Sequence, residues 1–108
     1  MYYLKKKLTI AGAHHLCPPY KGKCNNLHGH NWIITVYCCS STLNACGMIV
    51  DFSEIKRIVN ELDHENLNKH LPQPTAENIA RYLCKHIPLC TQVDVEESEG
   101  AVATYVED

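Results

Sequence analysis

Apolar and polar residues alternate from Leu4 to His14. Leu4, Leu8, Ile10, Gly12 and His14 fall on one parity, Tyr3, Lys5, Lys7 and Thr9 on the other, and Lys6 is the exception. A period of two with one polar face predicts a half-buried strand whose inward side ends on His14. The run from Asn31 to Cys39 is rich in aromatic and β-branched residues and predicts a second strand. Between them Pro18-Pro19 and Gly22 require a loop. Ile55, Ile58, Val59 and Leu62 then recur at helical spacing, with Ser53 placed to cap a helix over Glu54 to Leu62. After Pro72 and Pro74, Thr75 caps a second helix to about Ile87. Its buried face is read as Ile79, Tyr82, Leu83, His86 and Ile87, Glu77 complements its dipole, and Pro88 stops it. Val93–Glu97 and Ala101–Val106 flank Ser98-Glu99-Gly100 as a hairpin. The order ββααββ with short links predicts an α+β domain: a four-stranded antiparallel sheet carrying both helices on one face.

The chain has room for one domain, residues 1–108, and its small size and open sheet edges favour association with further copies. A net charge of -2 argues against nucleic acid as a partner, because phosphate binding needs a basic footprint. No apolar run reaches membrane-spanning length, and Met1–Lys7 lacks an apolar signal core, so a cytoplasmic protein is expected. Seven cysteines, two of them adjacent, suit no disulfide framework and read mostly as small buried hydrophobes.

The chemistry concentrates in Cys24-Asn25-Asn26-Leu27-His28-Gly29-His30. On extended backbone His28 and His30 point the same way, and Gly29 between them leaves room for an ion. A lone His-Gly-His is more often two ordinary polar positions. Here His14 supplies a third inward imidazole, so a zinc site of three nitrogens is available. Cys24 is either a fourth ligand, closing a structural site, or a free thiol beside the metal. Asp63-His64 offers an imidazole oriented by a carboxylate, as a general base needs, and is otherwise a charged helix end. Glu97 ends an apolar strand. It either faces solvent at the turn or accepts paired N–H bonds from a guanine-like ring. Lys21 and Lys23 lend the loop positive charge, either as solvated lysines or as anion contacts.

Taken in order, Ala13-His14, Cys24-x-x-x-His28-Gly29-His30, Gly47-Met48-Ile49-Val50-Asp51-Phe52, Leu62-Asp63-His64, Pro74-Thr75-x-Glu77-Asn78 and Glu97 resemble the 6-pyruvoyl-tetrahydropterin synthase family over nearly the whole chain. The three-residue spacer after Cys24 resembles its 6-carboxy-5,6,7,8-tetrahydropterin synthase branch, which acts in queuosine and deazapurine biosynthesis. Ile10, Ala76 and the extra imidazole of His15 depart from the family pattern.

The resemblance implies a T-fold (tunnelling fold) and a homo-oligomer, typically a hexamer, with active sites between subunits. It implies Zn2+ on His14, His28 and His30, and Cys24 and His64 as the proton-transfer pair, with Asp63 supporting His64. Glu97 is then the pterin anchor, with Thr75 and Glu77 as further substrate contacts. The implied reaction is zinc-dependent carbon–carbon cleavage of 7,8-dihydroneopterin triphosphate to 6-carboxy-5,6,7,8-tetrahydropterin, acetaldehyde and triphosphate. Triphosphate elimination without that cleavage is the alternative within the family. Outside it, the alternative is a non-catalytic protein whose zinc is closed in by one cysteine and three histidines.

Overall fold

A computed structural model describes residues 1–108. Strands β1 (Tyr2–His14) and β2 (His28–Ser40) form a long antiparallel hairpin, paired continuously from Tyr2↔Ser40 to His14↔His28. Helix α1 (Phe52–Asn60), strand β3 (Glu65–Asn66) and helix α2 (Ala76–His86) follow, and then the hairpin of β4 (Cys90–Ser98) and β5 (Ala101–Val106). The sheet order is β3-β1-β2-β4-β5.

The sheet therefore has five strands and is mixed, correcting the expected four-stranded antiparallel arrangement. β3 pairs in parallel with β1 at Gly12↔Glu65 and Ala13↔Asn66. Two residues are too few to show any periodicity, so this strand has no sequence signal. Neighbouring contacts form it: Ala11 N–H donates to the Asp63 carboxylate at 2.8 Å, and His64 N–H donates to Ala11 O. His64 then turns the chain at a φ of 59°, a backbone region uncommon outside glycine.

The inward parities of the strands converge on one core. Ile10, Trp32, Ile34, Val36, Val93 and Val95 meet Ile55, Val59, Ile79 and Leu83 of the two helices, all buried. Lys6, the exception in the β1 pattern, is half-buried, with its ammonium 5.8 Å from the centre of the Phe52 ring. The opposite face of the sheet is polar. There Asp94 accepts bonds from Tyr37, Gln92 and Thr104.

The α1 cap is Asp51 rather than Ser53, so the helix begins and ends two residues earlier than expected. The Asp51 carboxylate accepts the Ser53 N–H at 2.8 Å and its hydroxyl at 2.7 Å. A charged cap also complements the helix dipole, which a hydroxyl does not. Thr75 caps α2 as expected, accepting Asn78 N–H at 3.1 Å. The inner stripe of α2 is rotated from the expected one. Ala76, Ala80 and Cys84 are buried with Ile79 and Leu83, whereas His86 is exposed and lies against Tyr82 with ring centres 4.0 Å apart. β4 starts at Cys90 rather than Val93, because a register irregularity hides its first residues from a period-two reading. No helix is long and apolar enough to cross a membrane.

Candidate metal centre and active site

Register builds the histidine cluster. His14 lies directly opposite His28, and Gly12 opposite His30, so the three imidazoles share the inward face at one end of the β1–β2 hairpin. Their ring centres are 4.6, 4.9 and 5.1 Å apart, and three ligand atoms come within 4.8 Å of one another. Trp32 floors the site, its ring edge-on to His14 at 4.8 Å and to His30 at 5.1 Å.

Backbone carbonyls set the tautomers. His14 Nδ1 lies 2.7 Å from Pro74 O, and His28 Nδ1 lies 2.7 Å from Asn26 O. A carbonyl only accepts, so both Nδ1 atoms carry the proton and leave the Nε2 atoms for a ligand. Metal-ligating histidines are typically held this way, the far ring nitrogen donating to a carbonyl or carboxylate. The Nε2 atoms of His14 and His30 are buried without a hydrogen-bond partner. Glu97 Oε1 approaches His30 Nε2 at 3.4 Å, an electrostatic contact that does not meet hydrogen-bond geometry. Burial, with a smaller contribution from the two neighbouring imidazoles, holds the His14 pKa below the usual histidine range and keeps it neutral, the form a metal requires. Buried unpartnered nitrogens are costly in a protein lacking an ion. Three convergent imidazoles, with Cys24 outside their cluster, fit a catalytic zinc.

Cys24 is not a member of that cluster. It sits in a short 3-10 turn (Lys23–Asn25) whose loop is bound to itself. Leu16 N–H donates to Cys24 O at 2.7 Å. The Asn25 amide donates to Leu16 O and Tyr20 O, at 2.7 and 3.0 Å, and its oxygen accepts Gly22 N–H at 2.8 Å. Cys24 pushes up the pKa of the Tyr20 phenol beside it. Gly22 permits this fold-back, because a Cβ there would lie 2.8 Å from the Tyr20 hydroxyl. Lys21 and Lys23 are exposed on the same loop.

The remaining expected residues fall in two places. Glu97 and Glu77 border one cavity with Ala76, Ala101, Val102 and Ala103, and Thr75 spends its hydroxyl on the α2 cap. Asp63 and His64 stand apart. His64 Nδ1 is 3.1 Å from Asp63 Oδ1, and its side chain is 81% exposed. It borders a cavity with Ala11, Ala13, Gly29 and Asn31, which alternate to the face opposite the triad, and with Gly12 and His30, which have the triad's own parity. His64 and His30 thus border one cavity, which His14 and His28 do not line. His15 also turns away from the triad, its Nδ1 3.9 Å from Cys17 Sγ. Tyr20, Asn25 and the Pro74 carbonyl are not legible in the sequence as site residues, since loop chemistry and long-range backbone contacts leave no periodic signal.

A family model described as 6-pyruvoyl tetrahydropterin synthase matches residues 3–108. The chain belongs to that family. Among its relatives, a putative 6-carboxy-5,6,7,8-tetrahydropterin synthase of Archaeoglobus fulgidus is 43% identical over 75 residues, covering 66% of this chain and 64% of that protein. The 6-carboxy-5,6,7,8-tetrahydropterin synthase of Bacillus subtilis is 27% identical over 123 residues, covering 96% of this chain and 84% of the relative. The solved 6-pyruvoyl tetrahydropterin synthase of Caenorhabditis elegans superposes with a TM-score of 0.78 at 25% identity, covering 99% of this family member and 96% of the solved chain.

Proposed function

We propose that this protein is a zinc-dependent carbon–carbon lyase. With water, it converts 7,8-dihydroneopterin triphosphate to 6-carboxy-5,6,7,8-tetrahydropterin, acetaldehyde and triphosphate, a step toward queuosine and related deazapurines. The observation that carries the reading is the division of labour at the end of the β1–β2 hairpin. Three imidazoles converge on one point, while Cys24 stands outside that set. That separation favours an open catalytic site over one closed by the cysteine. The names of the Archaeoglobus and Bacillus relatives support the carboxy route.

His14, His28 and His30 would hold the zinc, which when bound supplies Lewis-acid polarisation of a substrate side-chain oxygen. Cys24, in a loop carrying Lys21 and Lys23, takes a proton from the side-chain carbon next to the pterin and returns it. His64, held by Asp63, exchanges a proton with the substrate hydroxyl. Glu97 accepts ring N–H groups of the pterin, and Glu77 borders the same cavity. Thr75 keeps a lone pair of its capping hydroxyl for the substrate, and Lys21 and Lys23 meet the triphosphate. A complete site takes these groups from different copies of a homo-oligomer, which we read as a hexamer.

Incubating the zinc-loaded protein with 7,8-dihydroneopterin triphosphate and identifying products by mass spectrometry tests the proposal. Acetaldehyde with the 6-carboxy product is expected. Triphosphate release without acetaldehyde would assign 6-pyruvoyl-tetrahydropterin synthase activity instead, the reading favoured by the likeness to the Caenorhabditis enzyme. Cys24→Ser should keep zinc while losing at least about 100-fold in turnover, the lower end of what proton-transfer groups contribute. Loss of metal and fold together would instead indicate a closed site.

A further inference from the structure

Far from the histidine cluster, at the opposite end of β2, three cysteines converge. The pairing of β2 with β4 runs in regular register from Ile33↔Glu96 to Tyr37↔Gln92, and continuing it would place residue 39 opposite Cys90. Instead the register shifts between Tyr37 and Cys38, and Cys90 becomes the partner of Cys38. By simple alternation Cys90 belongs with Gln92 and Asp94 on the polar face. The bulge re-aims it to the core side, against another thiol. Cys38 is 1% exposed and Cys90 half-buried, with Cys38 Sγ 3.7 Å from Pro88 O and Cys90 Sγ 3.5 Å from Gln92 O. Cys84 of α2 joins them, its Sγ 3.7 Å from Cys90 O.

We propose that Cys38 and Cys90 are a latent disulfide pair, closed by peroxide-class oxidants. Directly opposed residues of antiparallel strands have Cα atoms about 4.5–5.5 Å apart, inside the roughly 4.4–6.8 Å that a disulfide accepts. The step balances with peroxide as the two-electron oxidant. The Cys38 sulfur attacks a peroxide oxygen, the O–O bond breaks, and water leaves, giving a sulfenic acid. The Cys90 thiol then attacks that sulfur, the S–S bond forms, the S–O bond breaks, and the Cys90 proton leaves with the hydroxyl as a second water. The neighbouring Cys90 holds the Cys38 thiol below the ordinary range, which makes Cys38 the better first nucleophile. Cys84 is the poorer partner, because its Sγ is directed to the Cys90 carbonyl oxygen and it lies on α2 rather than opposite Cys38 in register. The closed bridge would enclose α1, β3 and α2, with Asp63 and His64, in one covalent loop.

The test treats the intact, zinc-loaded protein with hydrogen peroxide, alkylates the remaining thiols in denaturant, and maps unreduced peptides by mass spectrometry. The expected result is a Cys38–Cys90 cross-link, lighter by two hydrogens and reversed by dithiothreitol. A rise of several degrees in Tm should accompany it, as a bridge across a long loop gives. Full alkylation of both residues after the exposed Cys46 has been oxidised would overturn the proposal. So would a Cys84–Cys90 link in its place. In Cys90→Ala both the link and the Tm rise should vanish, and a rise that survives the substitution would also refute the assignment.

Discussion

Replacing His14 and His28 by alanine, one at a time, separates metal binding from core packing. Each variant removes one of three nitrogens, so both should lose more zinc affinity than the roughly 10–100-fold that follows from losing a residue hydrogen-bonded to a ligand. Their metal-free stabilities should differ. His14 is 1% exposed, lies against Trp32, and donates to the buried Pro74 carbonyl at 2.7 Å. Truncation leaves that carbonyl without a donor, at about 1–3 kcal/mol, and opens a cavity of the kind that costs about 2–5 kcal/mol. Part of this is offset, because the unpartnered Nε2 that burdens the metal-free protein disappears with the ring. A net loss of about 2–4 kcal/mol follows, a fall of roughly 10–20 °C in Tm for a domain of this size. His28 is half-buried, and its Nδ1 bond goes to the exposed Asn26, so its truncation should cost below about 1 kcal/mol. Urea titration of chelated protein by circular dichroism, at matched subunit concentration, gives the stabilities, and competition with a zinc indicator gives the affinities. Equal metal-free stabilities, or wild-type zinc affinity in His28→Ala, would refute the reasoning.

Asp63→Asn should lower turnover by about 100-fold or more, since His64 loses the carboxylate that orients it. It should also change the acid limb of stability. The Ala11 N–H, and after it His64, hold Asp63 below the ordinary carboxylate range. Its contribution is therefore present above the unfolded pKa of about 3.9 and is lost as pH falls through the lower folded value. Tm measured downward from pH 5 should fall more steeply in wild type than in the variant, and parallel curves would contradict this. Gly12→Ala should destabilise by about 1–3 kcal/mol, because a Cβ there meets the Leu67 side chain and Trp32 Nε1 at 3.3 Å; an unchanged urea midpoint would show that the neighbours give way. Lys21→Ala with Lys23→Ala should raise KM for the triphosphate several-fold at low salt and less at high salt, and a KM indifferent to the change would remove both from substrate binding.

What the sequence reveals depends on periodicity. The β1–β2 hairpin, the inward placement of His14, His28 and His30, and the Thr75 cap all follow from alternation or capping chemistry, and the structure places them accordingly. Elements made by contacts between distant residues are silent. β3 is two residues long and exists because Asp63 and His64 bind the backbone of Ala11. The Asp51 cap escapes a sequence reading because Asp51 and Ser53 are both good caps two residues apart, and the carboxylate wins by binding both Ser53 groups. The outward turn of His86 and the stacking of its ring on Tyr82 follow from a modest rotation of α2 that its apolar spacing leaves undetermined. Cys90 defeats parity because a bulge reassigns its face.

The unbroken ladder from Tyr2↔Ser40 to His14↔His28 makes the metal a proofreader of its own hairpin. If β2 slid by a single residue, His28 and His30 would swing to the far side of the sheet while His14 stayed behind, and the two strands could no longer present their imidazoles to one point. Ion capture is thus granted to one alignment and denied to its neighbours, so the binding energy selects among misaligned chains as they fold.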